Sequence, residues 1–551
     1  KTSAANITWD GGGGDANWDT ALNWSTDTVP TSTDVAVFDG TCVTNCNPTI
    51  DFNVSILGLN VSSTYSGTIT QSSTVTFTMG SSGWTQAGGN FIGGNATITI
   101  NDANFSLSGG AVTSTSGTFS AERNFSITGG TFNNNSGTIA FIDSNSGDDT
   151  TLTCGSVTFS KVIITKDNDG DMIISSGCTV PLGTNPVTVT GWSANTFINN
   201  GTTTISSGTW TVNSNVSSNG TDLINNGTIT HNGTGWDSSG GLIMNSPGAS
   251  VTYGGTTSSF QQNLNVSQGS FPSGLEITFD GSGSVDNTTL TCGSVTFSKV
   301  IITKGGDGNM TISSGCTVPL GTNPTTVLLG GLFVNNGTIT IASGTWTITD
   351  TWGDPVVITN NGLIDHDGND WVNGRGFVNG TTGEVQYAGL AISVAATFNV
   401  SSGTFPSGLT MTLYDDNYGD DTTLTCGSVT FSGITINKDS SGDMILGDNC
   451  TVTGNLSFSA GTVSNPASAT ILTVNGNFTQ TSAGTFGGAN LTLPLEGTST
   501  STINKTAGTF SSVFKVNKSG AGTAILATSF TTSGQTCTVA SGTFDTNGLG
   551  F

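Results

Sequence analysis

"TLTCGSVTFSKVIITK" occupies Thr151–Lys166 and is followed by "SSGCTV" at Ser175–Val180. The pair of phrases returns from Thr289 and Ser313, and again from Thr423 as "TLTCGSVTFSGITINK" with "GDNCTV" from Gly447. In each copy the two cysteines stand 24 residues apart (178 − 154, 316 − 292, 450 − 426). The copies themselves are offset by 138 and 134 residues (292 − 154, 426 − 292). "GTWTV" around Trp210 and "FPSGL" at Phe271 recur in step as "GTWTI" around Trp346 and "FPSGL" at Phe405. A large unit is therefore repeated, and the third copy is diverged.

A shorter rhythm runs inside the unit. "FINNGTTTI" and "LINNGTIT", then "FVNNGTITI" and "ITNNGLID", recur about 25 residues apart. The apolar residues come in alternating packets bounded by Gly and Asn, the period-2 mark of strands, and no amphipathic helix is evident. Strands returning every 20–30 residues predict an all-β, elongated parallel β-helix, or β-solenoid, with one period per coil. Equivalent positions on stacked coils lie about 4.8 Å apart, and a disulfide needs its Cα atoms about 4.4–6.8 Å apart. The spacing therefore predicts staples between neighbouring coils at Cys154–Cys178, Cys292–Cys316 and Cys426–Cys450. Cys42 and Cys46 are placed to close a small loop, and Cys537 is left unpaired or intermolecular. The alternative is a string of tandem β-sandwich domains with an internal cysteine pair. The expected divisions are a Trp/Gly-rich cap at 1–50, coils at 51–150, repeats at 151–288 and 289–422, and a diverged repeat with an open end at 423–551.

Composition narrows the function classes. Charged residues are only 9% of the 551, against about 25% in an ordinary soluble domain, and the net charge is -25. Such a surface is repelled by nucleic acid and anionic lipid, and no apolar run approaches the ~18 residues that span a bilayer. No nucleic-acid partner and no membrane insertion are expected. "KTSAANITW" reads as the start of a processed, secreted chain. Regular cysteine pairs and many Asn-x-Ser/Thr sequons point the same way, with Asn6, Asn60, Asn95, Asn226, Asn336, Asn449 and Asn490 as glycan candidates.

The opening "ITWDGGGGDANWDTALNWSTDTVPTSTDVAVFDG" and later stretches such as "GGTFNNNSGTIAFID" and "TVTGNLSFSAGTV" resemble secreted bacterial repeat proteins related to autotransporter passengers. The resemblance implies a parallel β-helix on a cell surface or in a secreted fibre. The regular cysteine pairs depart from that pattern.

Catalytic chemistry finds little to use. The two histidines, His231 and His366, occupy equivalent repeat positions and read as turn or stacking residues. Lys161, Lys166, Lys299, Lys304 and Lys438 recur with the repeat, unlike a once-only active site, which leaves Arg123 and Arg375 outside the pattern. No enzyme and no cofactor are expected. Calcium is the one metal with a case: "KDNDGDM" alternates Asp167, Asp169 and Asp171, and "DHDGNDW" offers Asp365, Asp367 and Asp370. Only the last donor of the first loop persists in the copies, as Asn309 and Asp443, which is also what a turn requires. Trp9, Trp18 and Trp24 are read as a packed cap over the first coil in preference to a sugar platform. The expected role is an extracellular structural subunit that assembles head to tail with itself through its ends. An adhesin or glycan-binding stalk is second, and a polysaccharide-degrading enzyme a distant third.

Overall fold

The computed structural model describes residues 4–142, 149–166, 170–183, 196–212, 223–281, 287–304, 308–321, 325–349, 357–415, 421–438 and 442–551. Among these residues the regular structure is strand, apart from one 3-10 turn at Ala21–Asn23. The coil is plainest after the first staple. Phe197–Asn199, Thr202–Ile205 and Thr209–Val212 are three short strands. Leu223–Asn225, Thr228–His231 and Gly235–Ser238 repeat them. Phe197 lies opposite Leu223, Thr202 opposite Thr228 and Thr209 opposite Gly235, each 26 residues on (223 − 197, 228 − 202, 235 − 209). One winding thus advances all three faces by one strand spacing, and each ladder is parallel.

Two units make up the chain, Lys1–Leu275 and Glu276–Phe551, and both are built of such coils. In the second unit the coil appears at Phe333–Asn335, Thr338–Ile341 and Thr345–Thr349, then at Val357–Asn360, Leu363–His366 and Asp370–Asn373. Each unit is a parallel β-solenoid, and the turns number about 20 in all. Sandwich domains would pair their strands antiparallel. Here the antiparallel contact among the described residues is an isolated bridge between Trp9 and Trp24. The division between the units falls inside the first large repeat.

The NNG phrase shows why this sequence coils. At the corner after the first face, the first Asn turns inward and the second outward. Asn199 Nδ2 donates to Asn225 Oδ1 at 2.8 Å, and Asn335 Nδ2 to Asn360 Oδ1 at 2.8 Å. Asn360 Nδ2 continues the column to Asn379 Oδ1 at 2.9 Å. Outside, Asn226 Nδ2 reaches Asn200 Oδ1 at 2.9 Å, and Asn361 Nδ2 reaches Asn336 Oδ1 at 3.0 Å. The glycine lets backbone pass over backbone: a Cβ on Gly362 would stand 2.0 Å from the carbonyl oxygen of Gly337. Amides stacked one coil apart satisfy each other, so a polar column is tolerated in the core.

The staples occupy the same corner. Cys154–Cys178, Cys292–Cys316 and Cys426–Cys450 are bonded, with Cα–Cα distances of 5.2, 5.2 and 5.4 Å. All six cysteines are buried. Each closed loop is worth on the order of 3 kcal/mol in the chain-entropy account. Cys42–Cys46 closes a short loop between partly exposed residues, separated by four positions.

Two outcomes follow from this packing. Gly362→Ala should destabilise the fold by about 2 kcal/mol or more, while Gly14→Ala, whose Cβ meets nothing within 4 Å, should be neutral in urea unfolding. Under native conditions a phosphine reductant should open Cys42–Cys46 well before the three buried staples, as timed by alkylation and peptide mass mapping.

Candidate functional site

The residues with the most chemistry are turned inward. His231 is fully buried and stacks on Tyr253 with ring centroids 5.0 Å apart, between Trp210 and Trp236. Gly233 N–H donates to its Nδ1 at 3.1 Å, and its Nε2 lies 2.6 Å from Gly235 O. Only the neutral Nε2–H tautomer satisfies both partners. His366 repeats the arrangement: Gly368 N–H on Nδ1 at 2.9 Å, Nε2 3.1 Å from Asp370 O, and Tyr387 at 4.8 Å. Both imidazoles are therefore stacking residues of the core. Burial holds both pKa values below the usual 6.5; around His366, the Asp370 carbonyl and then the carboxylates of Asp367, Asp370 and Asp365 pull the other way.

Of the calcium candidates that are described, Asp171 is tied into hydrogen bonds between coils. Asp167 and Asp169 lie outside the described residues. Asp171 Oδ1 accepts Thr196 N–H at 2.8 Å, and its own N–H donates to Asp149 Oδ1 at 2.9 Å. Asn309 Oδ1 accepts Leu332 N–H at 2.7 Å, with its N–H on Asn287 Oδ1 at 3.0 Å, and Asp443 N–H donates to Asp421 Oδ1 at 2.9 Å. The persistent Asp or Asn is thus a rung that ties one coil's corner to the next, which explains why that donor alone recurs. Asp365 and Asp367 flank the buried His366, half-exposed and exposed respectively, and Asp370 is exposed. Asp448 lies beside Cys426 and Cys450. Those sulfurs are bonded to each other, and the carboxylate accepts the N–H groups of Cys426 at 2.6 Å and Gly427 at 2.8 Å.

The cationic side chains divide in two. Lys161 and Lys299 face outward, with Lys299 Nζ 3.8 Å from Glu276. Lys166, Lys304 and Lys438 are buried. Arg123 forms an exposed ion pair with Asp102 at 2.6 Å, and Arg375 is buried. Trp9, Trp18 and Trp24 are completely buried and packed edge to face, with Trp18 against Phe77, so they form the cap. All eight described tryptophans are buried.

The sequons acquire a structural reason. In Asn60-Val61-Ser62, Asn104-Phe105-Ser106, Asn124-Phe125-Ser126 and Asn477-Phe478-Thr479 the middle residue is buried and the Asn stands at or beside a corner. Asn124 N–H donates to Asn104 Oδ1 at 3.1 Å, and Thr502 N–H to Asn477 Oδ1 at 2.7 Å. A corner amide followed by an inward apolar and an outward hydroxyl residue writes a sequon without reference to sugar. Asn6, Asn60, Asn95 and Asn449 are exposed, and Asn226, Asn336 and Asn490 half-exposed. Cys537 is free, half-exposed and opposite Phe514; burial raises its thiol pKa, which disfavours the reactive thiolate.

Periodicity did not reveal a groove of about 430 Å³ beside the cap, lined by Asp19, Val29, Pro30, Phe52 and Val54 among others. There the neighbouring Asp51 holds the Asp19 carboxyl above the usual range. The two carboxylates meet only through folding, so no local phrase announces them.

The histidines carry a pH signature. An imidazole with a lowered folded pKa takes its proton more readily in the unfolded chain, so its contribution is intact above about pH 6.5 and is lost as pH falls through that value. The urea midpoint should fall from about pH 7.5 to about pH 5, and less steeply in the His231→Phe, His366→Phe double variant.

No protein-family model, curated protein or solved structure matches this chain. Of the expected resemblance, the structure bears out the parallel β-solenoid.

Proposed function

We propose that the protein is a structural subunit of an extracellular filament, sheath or surface layer, secreted and joined to further copies through the ends of its solenoid. The observation that carries this reading is the burial of both imidazoles, the eight described indoles, the three inter-coil disulfides and four of the nine lysines. What remains outward is a hydroxyl- and carboxylate-rich surface suited to a durable wall and ill suited to catalysis. An aromatic sugar platform, the simplest basis for an adhesin, would need exposed indoles, and the eight described ones are buried. Four buried or partly exposed disulfides fit an oxidising compartment. On this reading the exposed Asn6, Asn60, Asn95 and Asn449 are where glycans would sit.

Negative-stain images and light scattering of the full chain should show end-to-end association that grows with concentration. Dispersed monomers at every concentration would defeat the proposal.

A further inference from the structure

Four lysines close a strand and turn their ammonium groups into the core: Lys166, Lys304, Lys438 and Lys518 are all buried. Lys166 Nζ donates to Thr150 Oγ1 at 3.0 Å and to Glu122 O at 3.3 Å. Lys438 Nζ donates to Ala395 O at 2.6 Å and Tyr414 O at 3.0 Å. Lys518 Nζ donates to Ser501 Oγ at 2.5 Å, Glu496 O at 2.5 Å and Asn475 O at 3.2 Å. The three acceptors of Lys518 match the three hydrogens of an ammonium. They lie 17, 22 and 43 residues back, so one side chain grips its own coil and the two before it.

A hydroxyl completes the motif by bonding the farthest carbonyl. Thr150 Oγ1 donates to Glu122 O at 2.9 Å, Thr422 Oγ1 to Ala395 O at 2.7 Å, and Ser501 Oγ to Asn475 O at 3.2 Å. Thr150, Thr288 and Thr422 each precede a stapled cysteine by four positions, so clasp and disulfide share a coil. At Lys518 the clasp recurs at a different corner, after the strand Val513–Asn517. No staple accompanies it: Cys537, on the next strand of that face, is free.

We propose that Lys518 is the redox-independent lock of the last coils, holding them by charge-assisted hydrogen bonds where the earlier repeats also use a disulfide. Such bonds are roughly twice as strong as neutral ones. Removing the donor strands three acceptors, with no covalent tie to hold their coils in register. The inference does not depend on assembly or location.

Hydrogen exchange on the full-length oxidised protein, read by mass spectrometry, tests it. Lys518→Met should raise exchange in Ser501–Lys505 and Val513–Asn517 by about tenfold or more. With its disulfide intact, Lys438→Met should raise exchange in Thr430–Asn437 by only about threefold. That effect should grow to match Lys518→Met once Cys426 and Cys450 are both alanine. Unchanged exchange in Lys518→Met, or an equally large effect of Lys438→Met with the disulfide intact, would overturn the proposal. Should Lys518→Met fail to fold, Ser501→Ala removes one partner and should give a smaller rise in the same strands; no rise there overturns it equally.

Discussion

Each coil's backbone N–H and C=O groups are satisfied by the coil above and the coil below, and everything else in this protein is arranged around that demand. A strand of three residues has no stability of its own in water; it persists here because a copy of it lies one spacing away on both sides. The constraint acts on side chains too. When equivalent positions stack directly, whatever occupies one coil must tolerate its own likeness in the next. Phenylalanine does so by ring packing and asparagine by amide ladders, as in the column Asn335–Asn360–Asn379. A bare charge does so only with its partners supplied, which is why the inward lysines come with carbonyls and a hydroxyl.

That rule accounts for a polar interior in a protein with few charges. The buried histidines, asparagines and lysines would each be costly if unpaired, at about 1–3 kcal/mol for a neutral group and more for an ion. Stacking makes the pairing systematic, since a donor on one coil finds an acceptor at the same place on the next. The three disulfides are the covalent form of the same contact.

Much of this was legible because the structure is periodic. Cysteines separated by one coil, and NNG recurring at one coil, require only that equivalent positions meet, so the staples at Cys154–Cys178 and its copies follow from counting. The histidines were readable for the same reason, since His231 and His366 repeat with the Trp-rich phrases beside them. The calcium reading of Asp171 and the sugar reading of the sequons were harder, because both motifs are also what a corner writes. Period-2 alternation after a corner amide generates Asn-x-Ser/Thr, and a carboxylate serves as well as an amide to accept the next coil's N–H. The direction of the lysine side chains was not legible at all. Lys161 and Lys166 lie five residues apart on the same phrase, yet one is at the surface and the other in the core. The inward one is distinguished only by carbonyls contributed from other coils, such as Glu122.

The inward lysines also change what the surface charge means. Of 11 Lys and Arg residues, Lys166, Lys304, Lys438, Lys518 and Arg375 are buried. Of the 36 Asp and Glu residues, Glu122 is the one buried among those described. The exposed groups are therefore more one-sidedly anionic than the net charge of -25 suggests. Two such surfaces repel side by side at low salt, where the Debye length is about 30 Å at 0.01 M and falls to about 8 Å at physiological ionic strength. Contact through a coil edge is the exception, because backbone N–H and C=O groups carry no net charge and leave carboxylates to the flanks. For the proposed assembly, that charge would favour contact at coil edges over contact between sides, and salt or divalent cations would weaken the preference.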